Sequence, residues 1–255
     1  MEGLRKPGRW ARVAGALLAV LLLVGASAPH RAAAAAAMRV LFIGNSYTYY
    51  NAMPQTFADL MRAGGHGVAV GMVAVGGATL ARHLAERRAL DAVDRGGWDY
   101  VVLQEQSVLP SLAGQREAEM YPAVRQFDEH IRRAGAHTVL FLTWGRRDGL
   151  PERGFPTMAA MQAQLDAGYG QIAREIGATI APVGTAWQKA LARDPALKLW
   201  AHDGSHPSAE GSYLAACVFY ATLSHQSPEG LPCRAGLSDA HARLLQRIAA
   251  ETVLH

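Results

Sequence analysis

From Met38 onward, short continuous apolar runs alternate with longer stretches whose apolar residues recur every three or four positions. The first kind suits strands buried on both faces and the second suits amphipathic helices; their alternation predicts repeated βαβ units and a parallel sheet. Strands are expected at Met38–Ile43, Val68–Val75, Trp98–Leu103, His137–Thr143 and Ala178–Val183. Between them the spacing predicts helices at Pro54–Arg62, closed by Gly64-Gly65, then at Thr79–Leu90, Glu117–Arg133, Pro156–Ile176 and Gly184–Arg193. Two more are expected at Ala209–Leu223, with Ser208 as N-cap, and at Ser238–Thr252. No proline- or serine-rich linker and no internal repeat interrupts residues 38–255. The expectation is one domain, a three-layer α/β/α sandwich of about five parallel strands.

With 50% hydrophobic residues over 255 positions, the chain can bury one sizeable core. The net charge of +4 sits in the first 37 residues, where Arg5, Lys6, Arg9, Arg12 and Arg31 face only Glu2. The remaining 20 basic and 20 acidic residues balance, which removes the charge argument for nucleic acid or an anionic membrane surface as partner. Residues 1–37 read as a secretory signal: a basic start, an apolar run from Val13 to Val24, and small residues for cleavage. Pro29 disfavours a cut after Ala28 and points to the tract Ala32–Ala37. The apolar run is shorter than the roughly 20 residues a spanning helix needs, so export to the periplasm or the medium is expected, with no stable membrane anchor. In such a compartment Cys217 and Cys233 can be bridged, or Cys217 can be a buried small hydrophobe; the sequence leaves both open.

In a parallel α/β sheet the loops that follow the strands converge on one edge, so chemistry is sought just past the strand ends. There the chain offers Ser46, Gly76-Gly77, the run Gln104-Glu105-Gln106-Ser107, and Trp144 to Arg147. Ser46 stands in Gly44-Asn45-Ser46-Tyr47-Thr48, a turn in which a serine can face the cleft. A serine hydroxyl is a weak nucleophile until a base takes its proton, and the candidate is His206 in Asp203-Gly204-Ser205-His206-Pro207-Ser208. Asp203, three residues earlier, can accept from the imidazole Nδ1 and fix its tautomer. Taken singly, each block also reads as a polar turn with helix caps. Their order on a βα chain is what points to acyl transfer.

These blocks resemble those of the SGNH (GDSL-type) hydrolases, and the resemblance covers essentially all of the chain from Met38. That family carries its serine in a Gly-Asp-Ser block after the first strand, a glycine after the second, an asparagine after the third and an Asp-x-x-His block near the end. The resemblance implies a flavodoxin-like SGNH fold, Ser46 as nucleophile, His206 as base and Asp203 as its orienting partner. It also implies an oxyanion hole made of the Ser46 and Gly77 N–H groups and a side-chain amide. Two departures stand out. Asn45 replaces the usual aspartate, as in a bacterial subgroup with Gly-Asn-Ser blocks, and Gln104-Glu105-Gln106-Ser107 replaces Gly-x-Asn-Asp. Alignment to that block favours Gln106 as the amide donor, while Gln104 sits closer to the strand, so both are candidates. Alternatively, one glutamine caps a helix and the two backbone N–H groups act alone.

Trp144 and Tyr47 are the substrate-binding candidates, the indole as a face for a sugar ring and the tyrosine as a wall of the acyl pocket. Buried packing accounts for Tyr47 equally well, while for Trp144 and Arg146 the preferred readings are a loop anchor and a solvated charge rather than pocket lining. The histidines are scattered without metal-ligand spacing, so neither metal nor cofactor is expected. No Walker lysine follows Gly44, and an α/β-hydrolase elbow needs glycine where Thr48 stands. The expected activity is that of a secreted serine esterase acting on O-acetyl or other short acyl groups of a carbohydrate. The alternative is an envelope protein that keeps this fold and only holds a glycan.

Overall fold

The computed structural model describes residues 37–255, so nearly all of the expected leader lies outside the described residues. Five strands form one all-parallel sheet: β1 (Met38–Gly44), β2 (Val68–Ala74), β3 (Tyr100–Leu103), β4 (His137–Phe141) and β5 (Thr179–Ala181). Their order is β2-β1-β3-β4-β5, with Phe42 of β1 in register with Met72 on one side and Val102 on the other. This is the flavodoxin-like order, in which the direction of winding reverses beside β1 and opens a crevice at the carboxyl ends of β1 and β3.

Because side chains alternate along a strand, each strand feeds two cores. Val40 and Phe42 pack with helices α2 (Met53–Ala63), α8 (Val183–Arg193), α9 (Ala209–Ser224) and α10 (Asp239–Val253). Leu41 and Ile43 point the other way, to α3 (Leu80–Glu86), α4 (Arg88–Asp94), α6 (Tyr121–Arg133) and α7 (Met158–Ile176). Each large apolar side chain so buried is worth roughly 1.5–3 kcal/mol, which explains why the strands read as unbroken apolar runs. The short α-helical pieces are α1 (Ser46–Tyr49) directly after β1 and the single turn α5 (Ala113–Gln115).

The helix expected over Thr79–Leu90 is two helices. Arg87 takes a left-handed conformation (φ 58°) between α3 and α4, and its N–H closes on the Leu84 carbonyl. Arg116–Met120 forms a wide π turn that leads into α6. β3 begins two residues later than expected, because Trp98 turns off the strand line and donates from Nε1 to the Ala92 carbonyl at 2.8 Å. β5 is three residues long; Pro182 lacks the N–H to continue the ladder and stands at the N-cap of α8. Ser208 caps α9 as expected, accepting from the Gly211 N–H. Cys217 and Cys233 are free thiols; Cys217 is fully buried in α9, where burial pushes its thiol pKa up. Among the described residues no helix is long and apolar enough to cross a membrane.

Candidate active site

Ser46 leaves β1 through Gly44 and Asn45. A β-carbon at Gly44 would collide with Thr48 Oγ1 and Gln104 Oε1, so only glycine allows the close approach on which this corner is built. Asn45 is buried and uses its whole amide: Oδ1 accepts from the Tyr47 N–H at 3.1 Å and Nδ2 donates to the Ala78 carbonyl at 3.0 Å. An aspartate there could not make the second bond, which gives this departure from the family pattern a local reason. The bond also ties the serine turn to the loop after β2.

The histidine arrives 160 residues later. Its Nε2 lies 2.9 Å from Ser46 Oγ, and its Nδ1 lies 2.5 Å from Asp203 Oδ2. The other carboxylate oxygen, Oδ1, accepts from the backbone N–H groups of Ser205 and His206, both at 2.9 Å. Desolvation pushes the Asp203 carboxyl up, but the His206 ring and these two N–H donors outweigh it and hold the pKa at about 2. Asp203 is therefore a carboxylate at any ordinary pH, and a carboxylate at Nδ1 leaves Nε2 free to accept the serine proton. Tyr50 lies nearly parallel to the imidazole at 4.3 Å, and Asn51 donates from Nδ2 to the Pro207 carbonyl and to Ser212 Oγ. Neither contact was signalled by the sequence, since both join residues more than 150 positions apart.

The other flank comes from three strand ends. Among the described residues, the N–H groups of Ser46 and Gly77 have no protein acceptor. Gly77 holds the left-handed conformation (φ 68°) that its loop requires. Gln106 turns its Oε1 onto the N–H groups of Val108 and Leu109, at 2.8 and 3.1 Å, which leaves its Nε2 without a partner among the described residues. It is thus both the cap and the free amide that the sequence left as alternatives. Gln104 is different. It is fully buried, its Oε1 accepts from the Asn45 N–H and the Thr48 hydroxyl, both at 2.8 Å, and its Nε2 donates to the Glu105 carbonyl. With every polar atom committed and none lining the cavity, Gln104 is removed as an oxyanion donor. Between the two, Glu105 is buried and accepts from the N–H groups of Gln106 (2.6 Å) and Leu80 (3.2 Å); burial raises its pKa to about 7.

Ser46, Gly77, Gln106 and His206 line one cavity of about 200 Å³, together with Tyr47, Ser205 and Arg146. Trp144 is not among them. It is fully buried, stacked between Tyr47 (4.6 Å) and Trp187 (4.1 Å), and donates from Nε1 to the Ser205 carbonyl at 3.0 Å. The indole therefore offers no face to a sugar; it is the floor on which the histidine loop rests. Tyr47 is also buried, and its hydroxyl pairs with Ser205 Oγ at 2.7 Å while its edge reaches the cavity. A cavity of about 230 Å³ at the amino ends of β3 and β4 holds Asp128, but Thr138 and Arg132 already occupy its carboxylate. No cluster of metal-binding side chains occurs among the described residues.

No protein-family model matches the chain, and no curated protein matches it. Among solved structures, a protein from Slackia heliotrinireducens assigned to the SGNH hydrolases is 35% identical, over 73% of this chain and 99% of its own, with a TM-score of 0.64. A DUF4886 family protein from Bacteroides uniformis has a TM-score of 0.74 at 23% identity, over 86% of this chain and 95% of its own. An acetylxylan esterase from Geobacillus stearothermophilus has a TM-score of 0.57 at 17% identity, over 74% and 95%. The last two share the fold; the first, at its level of identity and coverage, carries more, and on it the chain belongs to the SGNH (GDSL-type) hydrolases, a family of serine ester hydrolases.

Proposed function

We propose that the protein is an exported serine esterase that removes short acyl groups, most simply O-acetyl, from a carbohydrate. The observation that carries the reading is the Ser46–His206–Asp203 relay, at 2.9 and 2.5 Å, opening onto the same cavity as three unpartnered N–H donors. Ser46 Oγ attacks the ester carbonyl while His206 Nε2 takes its proton. The carbonyl oxygen, now negative, is held by the N–H groups of Ser46 and Gly77 and by Gln106 Nε2, donors already in place before charge develops. His206 returns the proton to the leaving alkoxide as the C–O bond breaks, leaving an acyl-Ser46 ester. Water, deprotonated by His206, then attacks that ester through the same oxyanion site and releases the carboxylic acid and free Ser46.

A cavity of about 200 Å³ suits a short acyl group with its attached unit better than a long chain. The acetylxylan esterase that shares the fold supports the same substrate class by analogy. Export rests on the basic, apolar and alanine-rich leader, and is checked by the N-terminal sequence of the protein recovered from a periplasmic or culture fraction. The esterase reading is tested by hydrolysis of p-nitrophenyl acetate beside Ser46→Ala. Turnover by the unaltered protein only is the expected result, and equal rates for the two proteins would sink it, as a pure glycan binder requires.

A further inference from the structure

The cavity beside Ser46 contains one charge that nothing among the described residues answers. Arg146, in the loop after β4, lines it together with the serine, the histidine and Gln106. Its Nε is buried without a hydrogen-bond partner, and no atom of its guanidinium makes a hydrogen bond or ion pair among the described residues. Its neighbours are spent differently. Arg147 pairs with Asp148 at 2.9 Å, and Asp203, the carboxylate nearest the catalytic pair, is taken by His206 and two backbone donors. The Arg146 charge also reaches Tyr47: burial pushes that hydroxyl's pKa up, and the guanidinium acts against the rise. A buried guanidinium nitrogen without an acceptor is costly, and a rigid fork of donors on a residue that lines the cavity is the group best suited to anionic oxygens.

We propose that Arg146 binds an anionic group, a carboxylate in the first place, on the ester substrate itself, so that the preferred substrate is an acylated acidic glycan such as one built of uronic acids. The inference rests on the esterase reading for the ester and on Arg146 alone for the anion. Because one cavity of about 200 Å³ contains both Arg146 and Ser46, the anion and the ester sit on the same sugar unit or on adjacent ones. The following residue, Arg147, lines a larger cavity of about 530 Å³ with Lys198, Trp200 and His202, which leaves room for further sugars of the chain.

The test has a binding arm and a turnover arm. In the binding arm, Ser46→Ala is titrated calorimetrically with trigalacturonate, galactose 6-phosphate and neutral galactotriose, beside Ser46→Ala/Arg146→Gln and Ser46→Ala/Arg146→Lys. The acidic ligands are expected to bind, more weakly as salt is raised, and to lose about ten- to a hundredfold in affinity with Gln and less with Lys. Comparison of the two acidic ligands tells carboxylate from phosphate as the source of the anion. In the turnover arm, Arg146→Gln is expected to lower the kcat/KM ratio of acetylated trigalacturonate to acetylated xylotriose by a similar factor, mainly through KM. Absence of acidic-ligand binding to Ser46→Ala, binding that ignores both salt and Arg146, or an unchanged ratio overturns the proposal. Turnover of p-nitrophenyl acetate that depends on Ser46, with an unchanged ratio, removes the anion site and keeps the esterase. Binding that depends on Arg146, without turnover of any ester, keeps the anion site and removes the esterase.

Discussion

On one side of Ser46 the site is built from neighbours in sequence, and on the other from residues far apart. Asp203 and His206 lie three positions apart, and the turn that joins them supplies the two N–H groups that fix the carboxylate. The proposed oxyanion side draws Ser46, Gly77 and Gln106 from the ends of three strands, and it is held by side chains that do not line the cavity. Gln104 fixes the serine turn, and Glu105 clamps the third strand's loop to the start of α3. A local device can be recognised by its spacing. A distributed one depends on which of several polar residues the interior uses up, so the two flanks should fail in different ways when altered.

The largest effect is expected on the local side. His206→Ala should lower kcat for p-nitrophenyl acetate on the order of 10⁶-fold, as Ser46→Ala should, and the double variant should be no worse than either if the two act as one unit. Additive losses would mean that the pair is not a relay. On the distributed side, Gln106→Glu keeps the oxygen that caps Val108 and Leu109 but removes the amide donor. It should cost about 10²–10³ in kcat with little change in melting temperature. Gln104→Ala should do the reverse: about 3 kcal/mol of stability lost in urea unfolding, because two buried donors are left without an acceptor beside a new cavity. If the two glutamines exchange these outcomes, their assignment here is wrong.

A comparable effect is expected from Glu105, as a pH dependence. Its pKa is raised in the folded state from 4.5 to about 7, so the folded protein holds the proton more tightly than the unfolded chain. Its contribution to stability is then greatest below pH 4.5, falls by about 3 kcal/mol as pH rises to about 7, and is flat above. Glu105→Gln keeps an oxygen for the Leu80 and Gln106 N–H groups and has no proton to lose. The stability difference between Glu105→Gln and the unaltered protein, measured from pH 5 to 8, should therefore shift in the variant's favour across that window. A difference independent of pH would show that the carboxyl does not titrate there.

The sheet was legible because doubly buried strands leave continuous apolar runs, as Val40 to Ile43 and Val139 to Phe141 do. The break between α3 and α4 was not, since Arg87 adopts its left-handed turn without a glycine or asparagine to mark it. In the site, the Asp203–His206 spacing and the glycine at 77 were readable. The roles of Gln104 and Gln106 were not, because they differ only in what surrounds them, two residues apart on one loop. Trp144 follows a strand end, which offered a sugar platform beside the preferred reading of a loop anchor, and the structure has the anchor. Its burial depends on Tyr47 and Trp187, respectively 97 positions before it and 43 after it, which come together only in the fold.

The contacts of Tyr50 and Asn51 with the histidine loop join the first sixth of the described residues to their last third. Contacts of such long sequence separation form late, after the loop-closure entropy of everything between has been met. The serine turn can be complete while the chain is still being made, yet it has no base until the segment after β5 is in hand. A chain cut short before Asp203 would contain the sequence of all five strands but lack both His206, the proposed base for Ser46, and the helices α9 and α10 that cover one face of the sheet. Activity in this protein therefore depends on the segment after β5 being folded against the serine turn.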